Sequence, residues 1–280
     1  MKRTTSFAAL AALTALTLSA CGSSSDKADS SKDSAASGVT KIVVGASPVP
    51  HQQILEFVKN NLAKEAGLDL QIKPFQDYVL PNSTLQDGEI DANYYQHLPY
   101  LEEEKAKKGY TFDHGTGIHI EPYGIYSKKI KGLNELSDGA SVAITNDPSN
   151  QARALKLLEA NNLIKLANVD SPTIFNITEN PKNLTFKEAE APAVPKLLPD
   201  VDIAIINGNY ALENNLKPSK DAIYLESGED NPYSNILVWN SKAEASKIEA
   251  VKKLDELLHS REVADYITAT WPDGEVIPAF

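Results

Sequence analysis

Three short runs carry residues able to hold a small charged molecule. In Asn146-Asp147-Pro148-Ser149-Asn150-Gln151-Ala152-Arg153-Ala154-Leu155, Asp147 is a good helix N-cap and Pro148 suits the first helical position, where its missing N–H costs nothing. The free N–H groups and macrodipole of that first turn favour an anion. Arg153, one turn further on, can reach back with a bidentate fork for a carboxylate; the plainer alternative pairs it with a surface acid such as Glu159. A second run, Asp91 to Tyr100, packs Tyr94, Tyr95, His97 and Tyr100 closely, with Phe75 and Tyr78 just upstream. These are either ordinary half-buried aromatics or an apolar slot with polar tips for a small amphipathic ligand. In the third, Ile205-Ile206-Asn207-Gly208-Asn209-Tyr210, two asparagines flank a glycine at the end of an apolar strand. That is where α/β folds bind ligands, and the two amides suit an ammonium and a carboxylate.

Other chemistries find little support. There is no Gly-x-Ser-x-Gly, no phosphate loop, no His-Glu-x-x-His and no Cys-x-x-Cys. Gly115-Thr116-Gly117 lacks the third glycine of a dinucleotide loop and reads as a turn. Asp113-His114 and His119 have a spacing that fits no compact metal site on a helix, so they read as surface or hinge histidines, and no metal or other cofactor is expected. The single cysteine, Cys21, excludes a disulfide framework and a multi-Cys metal site. With 27 Lys plus Arg against 38 Asp plus Glu, a net charge of −11 gives no general attraction to a phosphate backbone, and nucleic acid is not expected as a partner.

The elements that must position these runs alternate β-α-β-α. Lys41–Gly45 and Leu68–Ile72 read as strands, with a helix over His51–Lys64 between them. Helices are expected from Asn82 to Asp87-Gly88, over Tyr100–Lys108 ended by Gly109, over Ser149–Asn161, Lys247–Leu258 and Arg261–Thr270, and strands at Ala92–Tyr95, Val142–Ile144, Val201–Ile206 and Ile236–Trp239. This is an α/β protein with mixed, mainly parallel sheets and helices on both faces. Two stretches look like crossings between lobes, His119–Tyr126 and Tyr224–Tyr233, each broken by Pro and Gly. If the chain crosses at both, lobe 1 is discontinuous (39–122 plus 229–280), lobe 2 is continuous (123–228), and a hinged cleft lies between them.

The first residues read as an address. Lys2 and Arg3 precede an apolar Phe7–Leu18 run, and a Ser/Asp/Lys/Ala tract follows from Gly22 to Gly38 with nothing large enough to pack. Leu18-Ser19-Ala20-Cys21 is similar to a bacterial lipoprotein signal, which implies a signal peptide over 1–20, lipidation at Cys21 and a flexible tether over 21–38. Two or more acyl chains on Cys21 suffice for a stable anchor. Removing residues 1–20 takes away Lys2 and Arg3 and no acid, so the acidic body stands off the membrane rather than lying on anionic lipid.

Five ordered blocks carry a broader resemblance: Gln76-Asp77-Tyr78, the run from Leu85 to Leu101, His119-Ile120-Glu121-Pro122-Tyr123-Gly124-Ile125-Tyr126-Ser127, Asn146–Leu155 and Ile206–Leu212. Together they resemble the NlpA lipoprotein family, the methionine-binding lipoproteins of bacterial ABC uptake systems, with a type-2 periplasmic-binding-protein fold. The likeness spans essentially the whole mature chain. It implies a monomeric two-lobed receptor, not an enzyme, anchored on the outer face of the membrane. Such a receptor closes on one amino acid and delivers it to a permease coupled to a cytoplasmic ATPase. By that resemblance Arg153 takes the ligand carboxylate, and Asn207, with Asn209 and Glu121, takes its other backbone polar groups. Tyr78, Tyr95, His97 and Tyr100 wall the side-chain pocket, and Asn150 orients Arg153 or touches the ligand. L-methionine is the expected ligand, with D-methionine or a Gly–Met dipeptide as alternatives in the same role. A metal-binding or adhesive surface lipoprotein is a distant second reading, and an enzyme acting on a small amino-acid derivative a third. Tyr95 stands where relatives often have Phe, and its hydroxyl needs a partner or costs about 1–3 kcal/mol when buried.

Overall fold

The β-branched run at Ile42, Val43 and Val44 makes strand β1 (Thr40–Ala46), which is flanked by parallel neighbours β2 (Leu68–Pro74) and β3 (Ala92–His97). The computed structural model describes residues 38–280. The expected signal peptide, the Cys21 anchor and the tether up to residue 37 lie outside the described residues. Helix α1 (Gln53–Asn61) links β1 to β2, and α2 (Leu80–Gln86) links β2 to β3. The expected helix from His51 is shorter than its apolar pattern suggested. Residues Pro48–Gln52 form a separate irregular helical turn, which tucks His51 into the interior. Helix α3 (Leu98–Lys108) ends at Gly109, whose φ of 74° is the left-handed conformation a side chain disfavours. Short strands β4 (Phe112–His114) and β5 (His119–Ile120) follow.

The chain then leaves this sheet and builds a second. Its elements are β6 (Gly124–Tyr126), β7 (Ser141–Thr145), α4 (Pro148–Ala160), a small pair β8 (Lys165–Leu166) and β9 (Ile177–Glu179), and β10 (Thr185–Ala189). After these come α5 (Val194–Leu197), β11 (Ile203–Ile206), α6 (Gly208–Glu213), α7 (Pro218–Asp221) and β12 (Ala222–Leu225). Strand β13 (Asn235–Asn240) returns to the first sheet, and α8 (Ala245–Leu258), α9 (Arg261–Thr270) and β14 (Ile277–Pro278) complete it. The sheet orders are β14-β5-β13-β3-β1-β2, with β4 also on β13, and β10-β7-β11-β6-β12. The sheets are mixed, but "mainly parallel" holds only for the crossover strands β1–β2, β1–β3, β7–β10 and β7–β11. A strand arriving from the other sheet enters from the opposite end, so β13 runs antiparallel to β3 and β6 antiparallel to β11.

Each sheet has its own core. Ile42 and Val44 pack with Ile54, Leu55, Leu254 and Ile267 from α1, α8 and α9. Val142, Ile144, Ile203 and Ile205 pack with Leu155 and Leu158 of α4. On the other face of the second sheet, Ala204 and Ile206 meet Val194, Leu198 and Tyr210. Burying each large aliphatic side chain is worth roughly 1.5–3 kcal/mol. These cores therefore fix the strand ends rigidly, and the three runs of interest lie at those ends.

Candidate ligand-binding site

Asn150, Arg153, Asn207 and Asn209 come from the second sheet's strand-to-helix turns, and Tyr78, Tyr95, His97 and Tyr100 from the first sheet and its loops. Together with Glu121 they line one cavity, beside Gln96, Gly208 and Asn235; it holds about 350 Å³ not filled by atoms, part of it open to solvent.

At the aromatic end the backbone carbonyl of Tyr78 accepts two phenol hydroxyls, from Tyr95 at 3.1 Å and Tyr100 at 3.0 Å. The Tyr95 hydroxyl that needed a partner thus has one within the protein. The rings of Tyr78, Tyr95 and Tyr100 lie 5.8–6.1 Å apart, and Tyr210 closes the box at 4.9 Å from Tyr78. Tyr78 in turn donates to Asn209 Oδ1, and Tyr210 donates to the Gln76 carbonyl at 3.3 Å, so the 76–78 loop is tied to α6. Burial pushes the Tyr78 and Tyr95 hydroxyls well above their ordinary pKa, and both stay neutral donors. Beneath the box, Asn82, Asn93 and Gln96 bond one another at 2.8–3.1 Å. Every member of that amide cluster is satisfied, as a buried polar group must be.

At the polar end Asp147 caps α4 as its sequence implied, accepting the Asn150 N–H at 2.9 Å. The same carboxylate oxygen takes an N–H of the Asn150 amide at 2.9 Å, which fixes the direction of that side chain. Asn150 Oδ1 then accepts from Asn207 Nδ2 at 2.9 Å and faces His97 Nε2 at 3.2 Å. Because His97 Nδ1 accepts the Tyr100 N–H at 3.2 Å, the ring proton sits on Nε2 and donates to Asn150. Asn150 is therefore a junction between the two sheets and makes no bond to Arg153. Burial, reinforced by the nearby Arg153 charge, lowers the His97 pKa to about 3.

Arg153 is buried, with 5% of its surface exposed. Its charge meets neither Glu159 nor open space. Nε donates to Glu226 Oε1 at 3.1 Å, and Nη2 donates to Glu226 Oε2 and, at 3.0 Å, to the Glu121 carbonyl. The guanidinium lies 4.9 Å from the Tyr123 ring centre and 4.3 Å from that of Tyr233, within cation–π range. Burial works against ionisation of Glu226, yet the Arg153 charge and the hydrogen bonds from Arg153 and the Tyr123 N–H hold its carboxyl below the usual range. One edge of the fork is thus already spent, and among the described residues Nη1 bonds to no protein group. The guanidinium thus presents that remaining corner rather than a free bidentate face.

His119, expected at a surface or hinge, is fully buried, whereas His114 is exposed. His119, His51 and Glu121 bring their donor atoms within 4.8 Å of one another, and neither Asp113 nor His114 belongs to that group. Burial lowers His51 to about 4 and His119 to about 3, so both are neutral, and it raises Glu121 against the pull of His51 and Arg153.

The family model described as NlpA lipoprotein matches residues 42–280. The chain belongs to the NlpA lipoprotein family. It is 42% identical over 255 residues to the methionine-binding lipoprotein MetQ of Bacillus subtilis, covering 89% of this chain and 91% of that one. It is 40% identical over 239 residues to the D-methionine-binding lipoprotein MetQ of Escherichia coli, covering 84% and 86%. Among solved structures, a nutrient binding protein from Burkholderia cenocepacia bound to methionine matches with a TM-score of 0.79 at 39% identity, over 85% of this chain and 100% of that one. The two sheets described above are the two lobes of this family's α/β fold. Among the described residues of this NlpA-family chain, no helix is long and apolar enough to cross a membrane.

The local runs did not reveal Glu226, Tyr123 or Tyr233 around Arg153, nor His51, Tyr94 and Asn235 around Glu121. Glu226 lies 73 positions from its arginine, and His51 lies 184 from Asn235. No spacing rule spans such distances. The one usable signal was the clustering of Glu226 and Tyr233 in the stretch expected to cross between lobes.

Proposed function

We propose that this chain is a lipid-anchored solute receptor of an ABC importer that captures one methionine between its lobes and hands it unaltered to the permease. The observation that carries this reading is the origin of the cavity wall: the aromatic side chains come from one sheet, Arg153 and the Asn150, Asn207 and Asn209 amides from the other, and the His97–Asn150 bond joins them. A ligand favours closure only through contacts it makes with both sides at once. Lobes of 39–122 plus 229–280 and 123–228 are the bodies that close. The names of its relatives, methionine-binding and D-methionine-binding lipoproteins, supply the ligand class.

In this role Nη1 of Arg153 receives the ligand carboxylate, Asn207 and Asn209 hold the remaining polar groups with Glu121, and Asn150 fixes the distance between His97 and Asn207. Tyr78, Tyr95, Tyr100 and His97 surround the thioether, where each sulfur–aromatic contact is worth about 0.3–1.5 kcal/mol. Cys21 carries the lipid, the receptor acts as a monomer on the outer face of the membrane, and an ATPase on the cytoplasmic side drives transport. Nothing in the cavity is needed to break a bond, and the receptor is not an enzyme.

The test is mass spectrometry of the small molecule released on denaturing the purified soluble body, followed by calorimetric titration of the refolded protein with L-methionine, D-methionine and Gly–Met. Stoichiometric methionine that rebinds and is recovered unchanged is the expected result. No bound ligand and no heat with any of the three overturns it. For the anchor, Cys21→Ala is expected to move the protein from the membrane to the soluble fraction.

A further inference from the structure

The aromatic end of the cavity offers a ligand ring faces rather than hydrogen-bond donors. Its tyrosine hydroxyls are spent inside the protein. Tyr95 and Tyr100 donate to the Tyr78 carbonyl at 3.1 and 3.0 Å, Tyr78 donates to Asn209 Oδ1, and Tyr210 donates to the Gln76 carbonyl at 3.3 Å. His97 is neutral, and its one ring proton is directed at Asn150. None of these groups points a positive hydrogen at the ligand. The ring centres of Tyr78, Tyr95 and Tyr100 form a triangle with sides of 5.8, 6.1 and 6.1 Å, their planes inclined to one another by 43–77°. A group seated over that triangle lies within about 6 Å of all three centres at once, the range of a cation–π contact.

Space and charge beyond the rings point the same way. Tyr78 and Tyr100 also wall a second hollow, which holds about 320 Å³ not filled by atoms, part of it open to solvent. Asp77, Asp147 and Glu190 line that hollow, and among the described residues no lysine or arginine does. Burial raises the phenols of the box, and carboxylates add to the effect: Glu104 on Tyr95 and Tyr100, Asp147 on Tyr78, Tyr100 and Tyr210. The cation of the main cavity, Arg153, stands at the opposite end and is paired with Glu226. A thioether uses such a box only through its polarisability. A sulfonium, the same sulfur carrying a third alkyl group, gains the cation–π attraction as well. It has no N–H or O–H, so burying it strands no donor.

We infer that this cavity takes S-alkylated sulfonium derivatives of methionine as a second class of ligand, with the charged sulfur over the Tyr78–Tyr95–Tyr100 triangle and the added alkyl group toward the hollow lined by Asp77 and Glu190. The inference rests on the methionine reading, since the same arginine and amides hold the amino-acid backbone. It extends that reading from a neutral side chain to a cationic one.

The test is calorimetric titration of the refolded, ligand-free protein with L-methionine, S-methyl-L-methionine and L-homoleucine. The last ends in an isopropyl group, the neutral isostere of the dimethylsulfonium, so the ratio of the two affinities isolates the charge from the shape. Wild type is expected to bind S-methyl-L-methionine about 10- to 30-fold more tightly than L-homoleucine, the scale of a desolvated cation–π contact. Tyr100→Phe keeps the ring face and is expected to hold that ratio within about twofold. Tyr100→Leu keeps apolar bulk without the face and is expected to lower the ratio to about threefold or less. Tyr95→Leu is expected to act in the same way, and it supplies the comparison if Tyr100→Leu fails to fold. A wild type that binds L-methionine but holds the two isosteres equally, prefers L-homoleucine or binds neither overturns the inference. An unchanged ratio in the leucine variants overturns it too. If L-methionine itself does not bind, the methionine reading falls together with the inference, a result distinct from methionine binding without a preference for the sulfonium.

Discussion

The two ends of the cavity are held by different physics. At the Arg153 end, charges are paired within the protein: Glu226 takes one edge of the guanidinium and Tyr123 and Tyr233 cover its faces. At the Tyr78 end the groups are neutral, and two phenols share one carbonyl. Removing a partner from a buried ion pair leaves a stranded charge, whereas removing one of two redundant donors leaves a satisfied acceptor. The charged end should therefore decide whether anything binds, and the aromatic end which side chain is preferred.

The largest effect is expected for Arg153→Ala. It removes the group offered to the ligand carboxylate and leaves Glu226 buried without its cation, which costs on the order of 3–5 kcal/mol. Calorimetry should register a loss of methionine affinity of at least about 100-fold, and thermal melts should show lower stability without ligand. Restoring part of that stability by adding Glu226→Gln would sharpen the contrast, because the stranded charge is then gone. An affinity within tenfold of wild type would break it.

The same contrast marks what was legible in the sequence. The aromatic wall was readable because Tyr94, Tyr95, His97 and Tyr100 lie within one strand and the helix turn that follows it, and a contiguous run keeps its members close in any fold. Asp147 and Pro148 announced the start of α4 through capping chemistry that acts within one turn. Gly109 ended α3 for an equally local reason. What failed was long-range pairing. The expected free fork on Arg153 was half-occupied by an acid from beyond β12, and the expected surface position of His119 was overturned by burial among β3, β5 and the turn holding His51. The expected mainly parallel sheets fell short for a related reason: which strand returns beside β3, and in what direction, is a property of the whole chain path.

Asn150→Ala comes next in size. The residue bonds His97, Asn207 and Asp147, so truncation leaves the His97 Nε2–H and one Asn207 N–H unsatisfied, each worth about 1–3 kcal/mol when buried. Since the His97 bond joins the two lobes, ligand affinity should drop more than the melting temperature of either lobe's core predicts. Equal affinity in the two proteins would remove Asn150 from the closure step.

A smaller and more specific effect is expected from pH. Burial lowers His97 to about 3, while an unfolded histidine titrates near 6.5. Between those values the unfolded chain binds the extra proton, so stability falls on acidification by up to about 1.4 kcal/mol per pH unit for this one group. His51 and His119 act in the same sense. Glu213, raised to about 7 mainly by burial, acts in the opposite one, its contribution being lost as pH rises through that value. Urea melts of wild type and His97→Gln between pH 6 and 4.5 cancel the groups they share. The variant should lose stability less steeply by up to one proton's worth, and parallel curves would mean that His97 is charged in the folded protein.

Tyr95→Phe is the smallest and the most direct test of redundancy at the aromatic end. It removes the hydroxyl whose burial calls for a partner, but Tyr100 still donates to the Tyr78 carbonyl at 3.0 Å. The carbonyl stays satisfied and the ring stays in the box, so the loss should be under about 1 kcal/mol, less than tenfold in affinity. Tyr100→Phe alone should behave alike. The double variant strips the carbonyl of both donors and should cost more than the two singles together, because only then is a buried acceptor left bare. Simple additivity in the double variant would mean that the Tyr78 carbonyl finds water at the cavity mouth. The aromatic end would then be wetter than its burial implies, and its grip on a thioether correspondingly weaker.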